Sequence, residues 1–210
     1  MIGILDYGMG NLRSVQKAFE HLGGTRAVVV SDPNEITGCE KLILPGVGNF
    51  ADGMAHLHDR GFTQPVHDFI DSGRPLMGIC MGMQLLLDSS TEDAEDDPVP
   101  GLGVVKGTVL RFQEGQGPDQ PRLKVPQMGW NRLDVCGDSP LFAGLDDEAY
   151  VYFVHGYYCV PEDDAVVAAT ADYGAPFCAA LHRDNVWATQ FHPEKSQRVG
   201  LQILKNFSAM

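Results

Sequence analysis

No apolar run in the 210-residue sequence reaches the roughly 18 residues that a membrane span requires. The opening stretch, Met1-Ile2-Gly3-Ile4-Leu5-Asp6, has no basic region ahead of its apolar residues and meets an acid at once, so it is not read as a signal peptide. Basic charge is scarce as well: 15 Lys and Arg face 28 Asp and Glu, a formal −13. Such a surface repels phosphate backbones and anionic lipid, so neither nucleic acid nor a membrane is an expected partner. There is no C-x-x-C pair among Cys39, Cys80, Cys136, Cys159 and Cys178, and their odd number fits free thiols in a reducing cytoplasm. H-E-x-x-H and zinc-spaced Cys/His clusters are also missing, so no metal site is expected. His155, His182 and the remaining histidines read as ordinary strand or surface residues. No internal repeat or low-complexity linker divides the chain, and its length suits one domain over residues 1–210.

What is present is an ordinary globular composition, 44% hydrophobic and 20% charged. The first half alternates short apolar runs with helical patterns. Residues 2–5, 27–30, 41–44 and 76–79 read as strands. Leu12, Val15, Phe19 and Leu22 recur at helical spacing until Gly23-Gly24 stop them. Further helices are expected near 51–59, 65–71 and 81–88. Strands alternating with helices imply a mostly parallel open sheet covered on both faces, an α/β fold. After Pro98 the texture turns β-rich, at 104–112, 130–135, 150–154, 166–170, 177–181 and 186–190. A final amphipathic helix is expected over 197–207. This half adds antiparallel strands to the same core. An acidic stretch, Glu92, Asp93, Glu95, Asp96 and Asp97, reads first as a solvated loop.

The strongest local feature is Leu76-Met77-Gly78-Ile79-Cys80-Met81-Gly82-Met83-Gln84. A strand runs into Cys80, a helix follows directly, and glycines stand two residues to either side. That is the layout of a nucleophile elbow with cysteine as the nucleophile. Larger residues at the two glycine positions would collide across so tight a turn. An unassisted thiol with a pKa of about 8.5 is only a few per cent ionised at neutral pH, so it needs a base. The helix N-terminus after Cys80 is expected to help by favouring the thiolate.

His192 can supply that base. It follows the strand over 186–190, and Pro193 forces it into an extended conformation. Glu194, two residues on, would then share its side and orient the ring. Leu44-Pro45-Gly46-Val47-Gly48-Asn49-Phe50 also follows a strand, and its glycines let backbone N–H groups turn into a cleft. Val47 and Met81 are the candidate oxyanion donors. Gly8-Met9-Gly10-Asn11-Leu12-Arg13 is close to a dinucleotide fingerprint, but Arg13 stands where the third glycine belongs, which disfavours nucleotide binding.

Together these residues resemble the class I, triad-type glutamine amidotransferases. Gly78-Ile79-Cys80-Met81-Gly82-Met83-Gln84 and His192-Pro193-Glu194 carry that likeness. Four further segments resemble the amidotransferase subunits of imidazole glycerol phosphate synthase, from histidine biosynthesis. They are Asp6-Tyr7-Gly8-Met9-Gly10-Asn11-Leu12, Pro45-Gly46-Val47-Gly48-Asn49-Phe50, Pro126-Gln127-Met128-Gly129-Trp130-Asn131 and Tyr152-Phe153-Val154-His155-Gly156-Tyr157-Tyr158.

The resemblance implies a Cys80/His192/Glu194 triad that hydrolyses L-glutamine through a γ-glutamyl thioester, with no cofactor. It implies that Gly48, Gln84, Glu92, Gly156 and Tyr157 hold the glutamine, although the family usually has Ser or Thr where Gly156 stands. It further implies a heterodimer with a (β/α)8-barrel cyclase that receives the ammonia, with Asn11, Trp130, Tyr152 and Lys195 at interface positions. The glycine-flanked Val47 peptide would turn inward when the partner docks, so that glutamine is not hydrolysed idly. The alternatives are an amidotransferase subunit of anthranilate or pyridoxal phosphate synthesis, or an inactive binding protein on the same fold. Residues 45–50 and 152–158 disfavour the former, and the intact triad the latter.

Overall fold

The computed structural model describes residues 1–24, 26–94, 97–113 and 123–210; Glu95 and Asp96 of the acidic stretch lie outside them. The first half runs β1 (Ile2–Leu5), α1 (Leu12–Leu22), β2 (Ala27–Val30), β3 (Lys41–Gly46), α2 (Phe50–Asp59), α3 (Thr63–Asp71), β4 (Leu76–Cys80), α4 (Met81–Leu85) and β5 (Leu87–Ser90). The second half runs β6 (Val99–Pro100), β7 (Val105–Arg111), β8 (Gln127–Arg132), β9 (Asp134–Val135), β10 (Tyr150–His155), β11 (Tyr157–Pro161), β12 (Val167–Asp172), β13 (Pro176–Arg183), β14 (Val186–Thr189) and α5 (Gln197–Ala209).

Five neighbouring strands, in the order β2-β1-β3-β4-β14, are parallel. The sheet continues through β13, β11 and β7 as antiparallel neighbours, then β5 and β6. Strands β12 and β9 branch from β13. β8 and β10 form a separate antiparallel ribbon.

Side chains alternate along the parallel strands and so feed two cores. Ile2, Ile4, Ile43, Met77 and Ile79 pack on one face with Val15 and Phe19 of α1 and Ile203, Leu204 and Phe207 of α5. Leu42, Leu44 and Leu76 pack on the other with Phe50 and Leu57 of α2 and Val66 and Phe69 of α3. Helices therefore cover both faces. Burying one such phenylalanine stabilises the fold by about 1.5–3 kcal/mol. α1 begins where the Asn11 side chain accepts from the Ser14 N–H at 3.3 Å.

Two boundaries differ from expectation. The helix after Cys80 ends at Leu85 rather than running to 88, because Leu87 leaves to pair with Val105. The strand expected over 150–154 runs on to His155, and after Gly156 an unforeseen strand, β11, joins a different sheet. Among the described residues no helix is long and apolar enough to cross a membrane.

Candidate active site

Strand register brings the chemistry together. Gly46 at the end of β3 lies opposite Cys80 at the end of β4, and Ile79 lies opposite Thr189 of β14. Val47, Cys80 and the segment Gln190-Phe191-His192 therefore emerge at one carboxyl edge of three parallel strands, the usual place for a site in such a sheet.

Cys80 has φ +55° and ψ −111°, a left-handed conformation that a non-glycine residue holds only when its surroundings enforce it. Those surroundings are crowded backbone. A Cβ on Gly82 would lie 1.8 Å from the Leu44 carbonyl oxygen, and one on Gly78 2.7 Å from that of Gly82. Gly46 has no room either, with the Tyr7 hydroxyl at 2.7 Å. The Tyr7 hydroxyl donates to the Pro45 carbonyl at 2.7 Å and so anchors the strand leading to Val47. α4, at only five residues, is shorter than expected, so the dipole it brings to Cys80 is correspondingly small.

His192 Nδ1 lies 2.8 Å from Glu194 Oε1, with side-chain exposures of 2% and 1%. The expected pairing stands, but Glu194 reaches the ring from a short 3-10 turn, Pro193–Lys195, rather than from extended chain. Burial pushes the imidazole down. The neighbouring Cys80 sulfur and the Glu194 carboxylate outweigh it and raise the ring to about 9. Among the described residues its buried Nε2 has no hydrogen-bond partner, which leaves it open toward the cavity. The main chain at His192 is clamped: its N–H donates to the Tyr152 carbonyl at 3.0 Å, and its carbonyl accepts from Ser196 Oγ at 2.7 Å. Ser196 Oγ in turn accepts from the Tyr152 N–H at 2.9 Å.

A cavity of about 400 Å³ joins these groups. Cys80, His192, Val47, Met81, Gly48, Gln84, Glu92, Gly156 and Tyr157 all line it. Gln84 donates through Nε2 to the Tyr157 carbonyl at 3.0 Å and to Gln190 Oε1 at 3.1 Å, so what it offers the cavity is its own carbonyl oxygen. Glu92 accepts from the Phe50 N–H at 2.8 Å at the start of α2. Burial raises the Glu92 carboxyl, the Phe50 N–H opposes this, and Asp93 and Asp52 add to the rise. The acidic stretch is thus not merely a solvated loop, since Glu92 forms a wall of the cavity.

Asn11, Trp130, Tyr152 and Lys195 lie outside that lining. Trp130, 47% exposed, stands opposite Tyr152 on the β8–β10 ribbon and meets its ring edge-on at 6.0 Å. Lys195 is exposed, and Asn11 caps α1.

His155 corrects the sequence reading. It is buried and lines the cavity. Burial above all lowers it to about 4, with His192 nearby adding to the effect and the Tyr157 carbonyl opposing it. As a neutral ring it donates from Nδ1 to that carbonyl at 2.8 Å and pairs through Nε2 with the Gln127 side-chain amide 2.9 Å away. The signal was present in the period of β10: His155 shares the inward positions of Val151 and Phe153. Among the described residues, no group of three or more His, Cys, Asp or Glu side chains is placed to hold a metal ion.

A strained cysteine, a histidine–carboxylate pair and a glycine-rich strand end around one cavity are the parts of a thiol-based acyl-transfer site. The family model "Glutamine amidotransferase class-I" matches residues 3–210, and the chain belongs to that family. Its similar proteins narrow the comparison. It is 56% identical over 210 residues to the imidazole glycerol phosphate synthase subunit HisH of Syntrophotalea carbinolica, covering 100% of both chains. It is 55% identical over 209 residues to the subunit of the same name from Geobacter sulfurreducens, covering 100% of this chain and 98% of the other. Among solved structures, PurLQS from Thermotoga maritima shares the fold with a TM-score of 0.73 at 18% identity, covering 98% of this chain and 96% of that one.

Proposed function

We propose that residues 1–210 act as one glutaminase domain, the HisH-type subunit of imidazole glycerol phosphate synthase, supplying ammonia for histidine biosynthesis in the cytoplasm. The observation that carries the chemistry is the single cavity lined by Cys80, His192, Val47 and Met81. Full-length likeness to subunits of that synthase supports the pathway. The five free cysteines suit a reducing compartment.

In this reading the Cys80 proton passes to His192 Nε2, and the sulfur attacks the side-chain carbonyl carbon of L-glutamine. The Val47 and Met81 N–H groups receive the oxyanion of the tetrahedral intermediate. His192, held by the Glu194 carboxylate, carries the proton until the C–N bond breaks, then gives it to the departing nitrogen. Ammonia leaves and a γ-glutamyl thioester remains. Water, deprotonated by His192, then releases glutamate and restores the thiol. Glu194 holds the ring throughout. Gly48, Gln84, Glu92, Gly156 and Tyr157 position the substrate.

The ammonia passes to a (β/α)8-barrel cyclase docked on the face that carries Asn11, Trp130, Tyr152 and Lys195. The clamp from Tyr152 to His192 offers a physical link between that face and the base. Gly48, at φ +111°, gives the Val47 peptide freedom to turn when the partner docks. A glutaminase assay on the chain alone, with the barrel partner, and with the partner plus its nucleotide ligand tests the reading. Turnover should rise sharply with the loaded partner. Equal rates in all three would contradict the gating, and absence of turnover in all three would contradict the function.

A further inference from the structure

Gln190 is fully buried just beyond the end of β14, and the scheme above gives it no part. A buried carboxamide needs partners at both ends. Here Nε2 faces the Cys80 sulfur at 3.8 Å, and Oε1 accepts from Gln84 Nε2 at 3.1 Å.

The polarity of this chain is fixed from its far end. The Tyr157 main-chain carbonyl can only accept, so the Gln84 group 3.0 Å from it must be the NH2. The same NH2 faces Gln190, so Gln190 must present its oxygen there. The other end of the Gln190 carboxamide is then necessarily a donor, and it points at the sulfur. Turning either amide over would set NH2 against NH2 or carbonyl against carbonyl.

We propose that Gln190 is a further catalytic residue of this site: its N–H, aimed by Gln84 and the Tyr157 carbonyl, binds the Cys80 sulfur and favours the thiolate before glutamine arrives. A hydrogen bond to an anion is about twice as strong as one to a neutral acceptor, so such a donor acts on ionisation and not only on position.

The inference rests on Cys80 being the nucleophile, and the test separates the two. In the intact chain, alkylation of Cys80 by iodoacetamide is followed against pH, with Cys80→Ala as the blank for other thiols. Gln190→Leu should slow the reaction at pH 7 about tenfold and move its midpoint up by about one pH unit. Its kcat should fall with KM little changed. Gln190→Glu, equal in shape but unable to donate and of like charge once ionised, should shift the profile at least as far. Because either variant can fail to fold, the wild type supplies a second readout. With glutamine side chains 15N-labelled, one NH2 resonance should follow the Cys80 titration and stop doing so in Cys80→Ala. An unshifted alkylation profile in a folded Gln190 variant, or no titrating NH2 resonance in the wild type, overturns the proposal. Glutaminase activity surviving in Cys80→Ala overturns the nucleophile itself.

Discussion

Gly82 stands two residues past Cys80, against the parallel half of the sheet, and Gly156 stands in the cavity wall between β10 and β11. A Cβ on Gly82 would meet the Leu44 carbonyl oxygen at 1.8 Å; one on Gly156 would meet the Val125 Cγ1 methyl at 3.4 Å and Pro126 Cβ at 4.0 Å, both ordinary contacts. The contrast holds more widely. In the parallel half the positions of Val47, Cys80 and His192 are set by close-packed backbone at the ends of β3, β4 and β14. In the antiparallel half the cavity wall is made of side chains and main-chain carbonyls at one strand break, His155-Gly156-Tyr157. One half holds geometry that tolerates no change, and the other holds a surface on which specificity can vary.

Cys80→Ala should give the largest effect. Glutamine-dependent turnover should fall by roughly 10⁴-fold or more, with ammonia-dependent synthesis by the partnered enzyme left intact; a steady-state assay with each nitrogen source reads both. Gly82→Ala should cost more than about 4 kcal/mol of stability in urea denaturation or prevent folding, while Gly156→Ser should lie within about 1 kcal/mol of wild type. Similar costs at both glycines would erase the contrast between the halves.

The two buried histidines bracket the pH range. His192 is raised from 6.5 to about 9, so its contribution is complete below pH 6.5 and lost as pH climbs through 9. His155 is lowered from 6.5 to about 4, so its contribution is present above pH 6.5 and lost as pH falls toward 4. Urea midpoints should therefore decline on both sides. Cys80→Ala and Glu194→Gln should each reduce the alkaline limb alone, the former more, and His155→Gln the acid limb alone. Trp130→Ala should weaken partner binding by about tenfold to thirtyfold, measured calorimetrically, without altering the fold. The smallest effect is expected from Gly156→Ser, whose added hydroxyl reaches the cavity and should lower the KM for glutamine about twofold to threefold.

The parallel half was largely legible in the sequence because its signals are local. β1, β2 and α1 fall where apolar period and Gly23 place them, and the elbow announces itself through two glycines at fixed offsets. The rest of the sheet was less so. Leu85-Leu86-Leu87 is equally compatible with a helix and a buried strand, and only the partner Val105, far along the chain, decides. Gly156 ends one sheet and begins another, which no local pattern records. His155 and Gln190 escaped because each is a polar residue in an apolar run, with partners (Gln127, Gln84) that only the fold brings near.

The central claim is that the Cys80 sulfur, served by His192, is the group that attacks glutamine. Treating the partnered protein with the glutamine-like electrophile diazo-oxo-norleucine and mapping the adduct by mass spectrometry tests it most directly. The account predicts a single adduct on Cys80, blocked by excess glutamine and strongly slowed in His192→Ala. An adduct on another cysteine, or labelling of Cys80 indifferent to both glutamine and His192, would contradict it.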